Sequence, residues 1–195
     1  MMNNLPLKTA ETTADLHPLI SKRWSPRSFS DREISEDLLL EFLEAARWAA
    51  SSNNEQPWHF VYAFRGTEGF DQLVSSLMPG NQVWARHAAV LVASIHRHTF
   101  SRNGKPNQWA GHDLGMANAQ MVLQATHRDV SAHMMAGFDR NAVADLLGLT
   151  EDQEVLVVTA FGYLSEASKL DEPLRTRETA PRKRKLLVEI ATPLR

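Results

Sequence analysis

Ala49-Ala-Ser-Ser-Asn-Asn-Glu-Gln-Pro-Trp-His-Phe-Val-Tyr-Ala-Phe64 joins the end of a helix to the start of a strand. Small polar residues close the helix. Beyond Pro57 the aromatics Trp58, Phe60, Tyr62 and Phe64 alternate with the period of two that marks a strand with one apolar face. Ser51, Ser52, Asn53, Asn54 and Gln56 put five hydroxyl or amide side chains into six positions, all able to hydrogen-bond a neutral polar ligand such as a heterocycle or a polyol. Ser and Asn also dominate ordinary helix-to-strand connections, so at this point both readings stand.

Upstream, Ser35 followed by Glu36 and Asp37 is a helix N-cap with acids in the first turn, and Leu38, Leu39, Phe42, Leu43, Ala46, Ala49 and Ala50 space a broad apolar face over about 36–50. Before it, residues 1–12 read as a loose arm and Asp15 to Lys22 as a short helix. Arg23-Trp-Ser-Pro-Arg27 comes next, and Pro26 holds Ser25 extended. Arg23, Ser25 and Arg27 thus set two guanidinium groups around a hydroxyl, which suits a phosphate or another anion; two solvated arginines are the plainer alternative.

Downstream, Thr67 caps a helix that Met78 to Asn81 stops, and Ala88 to Ile95 is an apolar run of strand length, as in a central strand covered on both faces. Arg97 to Gln108 lacks periodicity and reads as a mobile surface loop, in which Phe100, with Trp109 just after it, is a candidate to line a substrate pocket. Ala110 to His127 spaces Gly111, Gly115 and Ala119 along one side of a long helix, a smooth row that invites close approach by another helix, such as one from a second subunit. Ser131 to Asp139 reads as a loop around Gly137, then a short helix runs from Asp139 to Gly148 and a buried strand over Glu154 to Tyr163. Residues 166–185 read as an irregular tail. With no repeat and no dividing linker, residues 1–195 are expected to form one domain built on a layered α+β or α/β sheet.

Composition narrows the chemistry. A formal charge of −2 disfavours nucleic acid as the main partner, and no apolar run approaches the ~20 residues that span a bilayer. No secretory leader is legible, so a cytoplasmic location is expected. The absence of cysteine removes thiolate catalysis, disulfides and Cys-ligated metal. His96-x-His98 offers two imidazoles with no carboxylate nearby in sequence, so no metal is expected, and no catalytic residue of the protein's own can be chosen. His112 and Asp113 are adjacent and point about 100° apart on a helix, which argues against a dyad. The nine glycines form neither common nucleotide loop. Arg182-Lys-Arg-Lys185 reads either as a solvated charge run or as a second pair, Arg182 and Arg184, closing on the anion of Arg23 and Arg27; the apolar residues after it, Leu186, Leu187, Val188 and Ile190, favour a tail that docks.

Taken in order, Lys22 to Phe29, Ser51 to Phe60, Met135 to Asp139, Phe161-Gly-Tyr163 and Arg182 to Leu186 resemble the FMN-dependent nitroreductase family. That resemblance implies an α+β, three-layer α/β/α sandwich with a mainly antiparallel sheet, forming an intertwined homodimer with FMN at the subunit interface. By the same resemblance Arg23, Ser25 and Arg27 form the first FMN segment, with Arg23 toward the phosphate and Arg27 toward the pyrimidine edge, and Ser51, Ser52 and Asn54 form the loop from the other subunit, with Gln56 beside it. Met135, Ala136 and Gly137 would lie by flavin N5, and Arg182 and Arg184 would be the second phosphate pair. The implied activity is ping-pong transfer of a hydride from NADH or NADPH through FMN to a nitroaromatic, quinone or related small-molecule electron acceptor. Relatives with other flavin chemistry, and a flavin binder without turnover, remain alternatives. Asp129-Val130 and Leu186 depart from the pattern, and the loop 97–112 has no clear counterpart in it.

Overall fold

The computed structural model describes residues 8–194; part of the expected N-terminal arm, residues 1–7, lies outside them. Helices α1 (Pro18–Lys22) and α2 (Glu36–Arg47) precede β1 (Trp58–Phe64), with a single 3-10 turn at Ser52–Asn54 between. Then come α3 (Glu68–Ser76), α4 (Pro79–Ala85), β2 (Val90–Arg97), α5 (Ala110–His127), β3 (Ser131–Met135), α6 (Arg140–Leu147) and β4 (Gln153–Gly162). Two short helices, α7 (Leu174–Thr179) and α8 (Leu187–Ile190), lie in the tail.

The sheet runs β1-β2-β4-β3 with every neighbouring pair antiparallel, so β1 and β3 are its two edges. Helices cover both faces. On β2, Leu91, Ala93 and Ile95 face a core shared with Phe70, Leu73, Trp84, Phe138 and Val143, while Val90 and Val92 face Leu39, Phe42, Ala117 and Met121 of α2 and α5. That double burial is why β2 reads as an unbroken apolar run. On the edge strand β1, Trp58, Phe60, Tyr62 and Phe64 pack toward α2 and α5, which is the alternation visible in the sequence, while Val61 and Ala63 pack against the other core.

Caps account for several boundaries. The side chains of Ser35, Thr67 and Asp139 accept from the backbone N–H groups of Leu38, Phe70 and Ala142, and Gly148 ends α6 at φ 61°. Four expectations need correction. Met78 to Asn81 ends one helix but also starts α4, because Pro79 sits at its first turn, where a missing N–H costs nothing. Ser131 to Met135 is not loop but the edge strand β3, paired residue by residue with Met135↔Val158 to Ser131↔Gly162. The tail is not irregular throughout, since α7 lies within it. The 97–108 segment is tied down rather than loose: Asn107 N–H donates to the His98 carbonyl at 2.6 Å and Phe100 N–H to that of Lys105 at 2.8 Å.

Candidate functional site

The segment Arg23–Ser28 runs beside the free edge of β3. Its carbonyl at Pro26 is bonded to His133 Nδ1 at 2.9 Å, and Phe29 pairs with Leu164 just past β4. Phe29 lies so close to Gly162 that a Cβ there would stand 2.7 Å from its ring, which is why glycine occupies that position. From below, the Glu178 carboxylate of α7 accepts from the backbone N–H of Arg27 (2.9 and 3.1 Å) and of Ser28 (3.1 Å), and lies 3.9 Å from the Arg27 guanidinium. A carboxylate that is 3% exposed is thereby satisfied by backbone donors and one cation. The segment is held in shape by groups distant in sequence.

Within it, Arg23 Nη1 is 3.3 Å from Ser25 Oγ. Arg182 reaches back to donate to the carbonyls of Lys8 (2.9 Å) and Ser21 (2.7 Å), which brings the tail against α1. Burial, and then the guanidinium groups of Arg182 and Arg184, push the Arg23 pKa below its ordinary value; burial and Arg184 do the same to Arg182. None of the three pairs with a carboxylate among the described residues. Three mutually repelling cations without an acid form a site that gains from a dianion. Arg27 points elsewhere, to Glu178, and burial lowers its pKa against the raising effect of that carboxylate.

Gly137 follows β3. Its carbonyl accepts from Asn81 Nδ2 (2.9 Å) and Met78 N–H (2.9 Å), and a Cβ on it would meet Asn81 Nδ2 at 2.8 Å. The backbone from Met135 to Gly137 is therefore fixed from one side, while the Met135 side chain is buried in the core.

Ser51 to Gln56 lies before β1, at the opposite edge of the sheet. Asn53, Asn54 and Gln56 all adopt left-handed backbone, with φ of 54°, 56° and 51°. Such conformations cost non-glycine residues about 1 kcal/mol or more each and persist where the surroundings impose them. Here Gln56 N–H donates to Ser51 Oγ (3.0 Å), and Ser52 N–H donates to Asp113 Oδ2 (2.9 Å) at the first turn of α5. Asp113 is 2% exposed. Its Oδ1 lies 3.1 Å from His112 Nδ1, so the two neighbours do touch, contrary to the helical-angle argument; the exposed imidazole turns back over the helix end. Asp113 serves as the anchor of the loop, and Asp113→Ala is expected to lower stability by about 1–3 kcal/mol in a denaturant titration.

With β2 and β4 between the two edges, the sheet alone holds β1 and β3 three strand spacings apart, about 14 Å. Arg23, Ser25, Arg182 and Arg184 gather around the segment that His133 of β3 holds, Met135–Gly137 ends and follows that strand, and Ser51, Ser52, Asn54 and Gln56 lie before β1 at the other edge of the sheet. Phe100 and Trp109 stay on the loop beyond β2, where Arg102 lies over the Phe100 ring at 5.2 Å and Trp109 is half-exposed.

Sequence reasoning missed His133, Glu178 and Asp113. Burial pushes the His133 pKa down to about 4, with the positive charges of Arg27 and Arg23 acting in the same direction and the Pro26 and Ser25 carbonyls opposing. The half-buried ring is held neutral and packs 4.5 Å from the Trp84 ring. An unfolded His titrates near 6.5, so between pH ~6.5 and ~4 the unfolded chain binds the extra proton and stability falls as pH falls. Across that window the loss amounts to about 3 kcal/mol. His133→Gln keeps a donor for the Pro26 carbonyl and does not titrate; equilibrium unfolding from pH 7 to 4 is expected to be markedly flatter for it than for the wild type.

Among the described residues, no helix is long and apolar enough to cross a membrane. Comparison with known proteins sets this geometry in context. The model of the Nitroreductase family matches residues 20–90 and 64–163. A solved structure described as an oxidoreductase containing FMN is 36% identical, with a TM-score of 0.90 over 95% of this chain and 94% of that one. A nitroreductase family protein from Streptococcus pneumoniae shares the fold at 20% identity and a TM-score of 0.74, over 90% and 98% of the two chains. A curated relative from Archaeoglobus fulgidus, named "Putative NADH dehydrogenase/NAD(P)H nitroreductase", is 28% identical across 74% of this chain and 83% of its own length. The antiparallel sheet with its helical layers and the match across residues 20–163 together make this chain a member of the nitroreductase family.

Proposed function

We propose that the chain is a single FMN-binding domain and works, as a homodimer, as an oxidoreductase that takes electrons from NADH or NADPH and passes them to a nitroaromatic, a quinone or a similar activated acceptor. The observation that carries this reading is the cluster of Arg23, Arg182 and Arg184, three guanidinium groups without a carboxylate partner among the described residues. A phosphate monoester dianion matches that charge, and the hydroxyl of Ser25 adds a donor beside it.

The remaining candidates fit a flat, neutral heterocycle. Met135–Gly137 offers backbone at the end of β3, held from one side by Asn81 and Met78. Ser51, Ser52, Asn54 and Gln56 offer uncharged donors and acceptors on a loop whose strained backbone is fixed by Asp113. Because that loop sits at the far edge of the sheet, a second copy of the chain is the natural source of it at each site. The exposed apolar tail fits the same arrangement: Leu186, Leu187, Val188 and Ile190 are each more than 60% exposed in the single chain and would be covered by a partner.

FMN, when bound, supplies the two-electron chemistry that links nicotinamide to acceptor. The chain's own residues bind and orient. Arg23, Arg182 and Arg184 hold the phosphate, His133 and Glu178 keep the Arg23–Ser28 backbone in place, and Arg27 brings a fixed positive charge to the same segment. Support for FMN also comes from the 36% identical oxidoreductase described as containing it, and support for the nicotinamide donor from the name of the archaeal relative. Anaerobic mixing of the FMN-loaded protein with NADH and, separately, NADPH tests the proposal. Rapid bleaching of the flavin by at least one donor is expected, followed by recovery of colour when a quinone is added. No bleaching with either donor would reduce the chain to a flavin binder.

A further inference from the structure

The structure supplies the carboxylate that the His96-x-His98 pair lacks in sequence. β2 and β4 pair in one register up to Ser94↔Val157 and in another from Ile95↔Val155, so Leu156 is an extra residue in β4. That β-bulge sets Glu154, instead of Val155, directly across from His96. Opposed residues of an antiparallel pair share a face, and His98 lies on that face too, two residues beyond His96. A ligand atom from each of His96, His98 and Glu154 falls within 4.8 Å of the others.

The spacing between these groups is informative. Glu154 Oε2 is 3.8 Å from His96 Nε2 and 3.9 Å from His98 Nε2, too far for hydrogen bonds. Ligand atoms bound about 2.1 Å from a zinc ion stand about 3.4 Å apart at the tetrahedral angle and farther apart as that angle opens. The separations therefore suit a shared cation better than a shared proton. His96 is buried, and its Nδ1 has no hydrogen-bond partner among the described residues. Arg140 donates to Glu154 Oε1 at 2.9 Å and to the Val155 carbonyl at 2.6 Å, which orients the carboxylate and leaves Oε2 toward the imidazoles. Its positive charge also opposes a cation and caps the affinity.

We propose that His96, His98 and Glu154 bind one divalent transition-metal ion, of which Zn2+ is the best match, through Nε2, Nε2 and Oε2. Two imidazoles and a carboxylate leave at least one coordination position open to water or to an added ligand. The ion links the end of β2 to the start of β4 at the base of the 98–107 loop, whose Asn107 N–H is bonded to the His98 carbonyl. It is independent of the Arg23, Arg182 and Arg184 cluster.

The test uses tag-free, flavin-loaded protein treated with chelator and dialysed, then titrated with Zn2+ by calorimetry and with Co2+ by visible absorption. One saturable Zn2+ site per chain is expected, with a rise in melting temperature. His98→Ala and Glu154→Gln are each expected to weaken Zn2+ binding at least about tenfold and abolish the thermal shift, with flavin content unchanged. His98 is half-exposed, so its truncation leaves the packing intact. Absence of saturable binding to the wild type would overturn the proposal, as would equal affinity in wild type and both variants.

Discussion

The double variant Arg23→Ala with Arg184→Ala is expected to bind FMN roughly a thousandfold more weakly than the wild type, while its circular dichroism and melting temperature change little. Each charge-assisted contact to a phosphate is worth about 1.5–3 kcal/mol, and the two sites are close enough to couple, so about 4 kcal/mol is the joint loss. Stability holds because neither guanidinium pairs with an acid among the described residues; each is relieved of repulsion when its neighbour goes. Fluorescence titration of FMN into apoprotein measures the change. A loss below about tenfold would return the tail to a solvated charge run.

The largest stability effect is expected at Glu178. Its carboxylate accepts from two backbone N–H groups and faces the Arg27 guanidinium, all in a buried setting. Glu178→Ala leaves those donors unsatisfied and a cation without its partner, at a cost of about 3 kcal/mol, or roughly 10 °C in melting temperature for a chain of this size. Glu178→Gln is expected to fall between, since one amide oxygen still accepts while its NH2 group opposes the backbone donors. FMN binding should weaken in both, because Glu178 holds the segment that carries Arg23 and Ser25. A melting temperature unchanged in the alanine variant would remove Glu178 from that role.

How far the sequence could be read depended on the range of the interactions. Ala110 to His127 was legible from its residue spacing, and the α6 stretch between Asp139 and Gly148 from its caps, both local signals. The alternating aromatics of β1 identified a strand, but not that Val61 and Ala63 between them pack against the opposite core. β3 was not legible: it has five residues, His133 interrupts its apolar pattern, and its pairing with β4 is a long-range fact. α7 was hidden for a related reason, since Leu174-Arg-Thr-Arg-Glu-Thr179 shows no apolar stripe and reads as a charge run. Glu178 looked like one more charge in that run, although its partners lie some 150 residues earlier. The same limit hid Glu154, which a bulge brings across from His96.

The candidate cofactor residues became legible through resemblance, because single arginines and a Ser/Asn loop carry little information on their own. Structure adds a reason for their grouping. Arg182 is tied to Ser21 beside Arg23, whereas the Ser51–Gln56 loop is tied to α5 at the other edge of the sheet. The proposed homodimer would bring the two groups together at one site.

Size-exclusion chromatography with in-line light scattering and flavin absorbance, run on protein reconstituted with FMN, tests that arrangement most directly. A yellow dimer carrying two FMN per dimer, which loses flavin when driven to monomer by dilution or mild denaturant, is the expected result. A monomer that retains stoichiometric FMN, or a colourless protein that takes up none, would contradict the account.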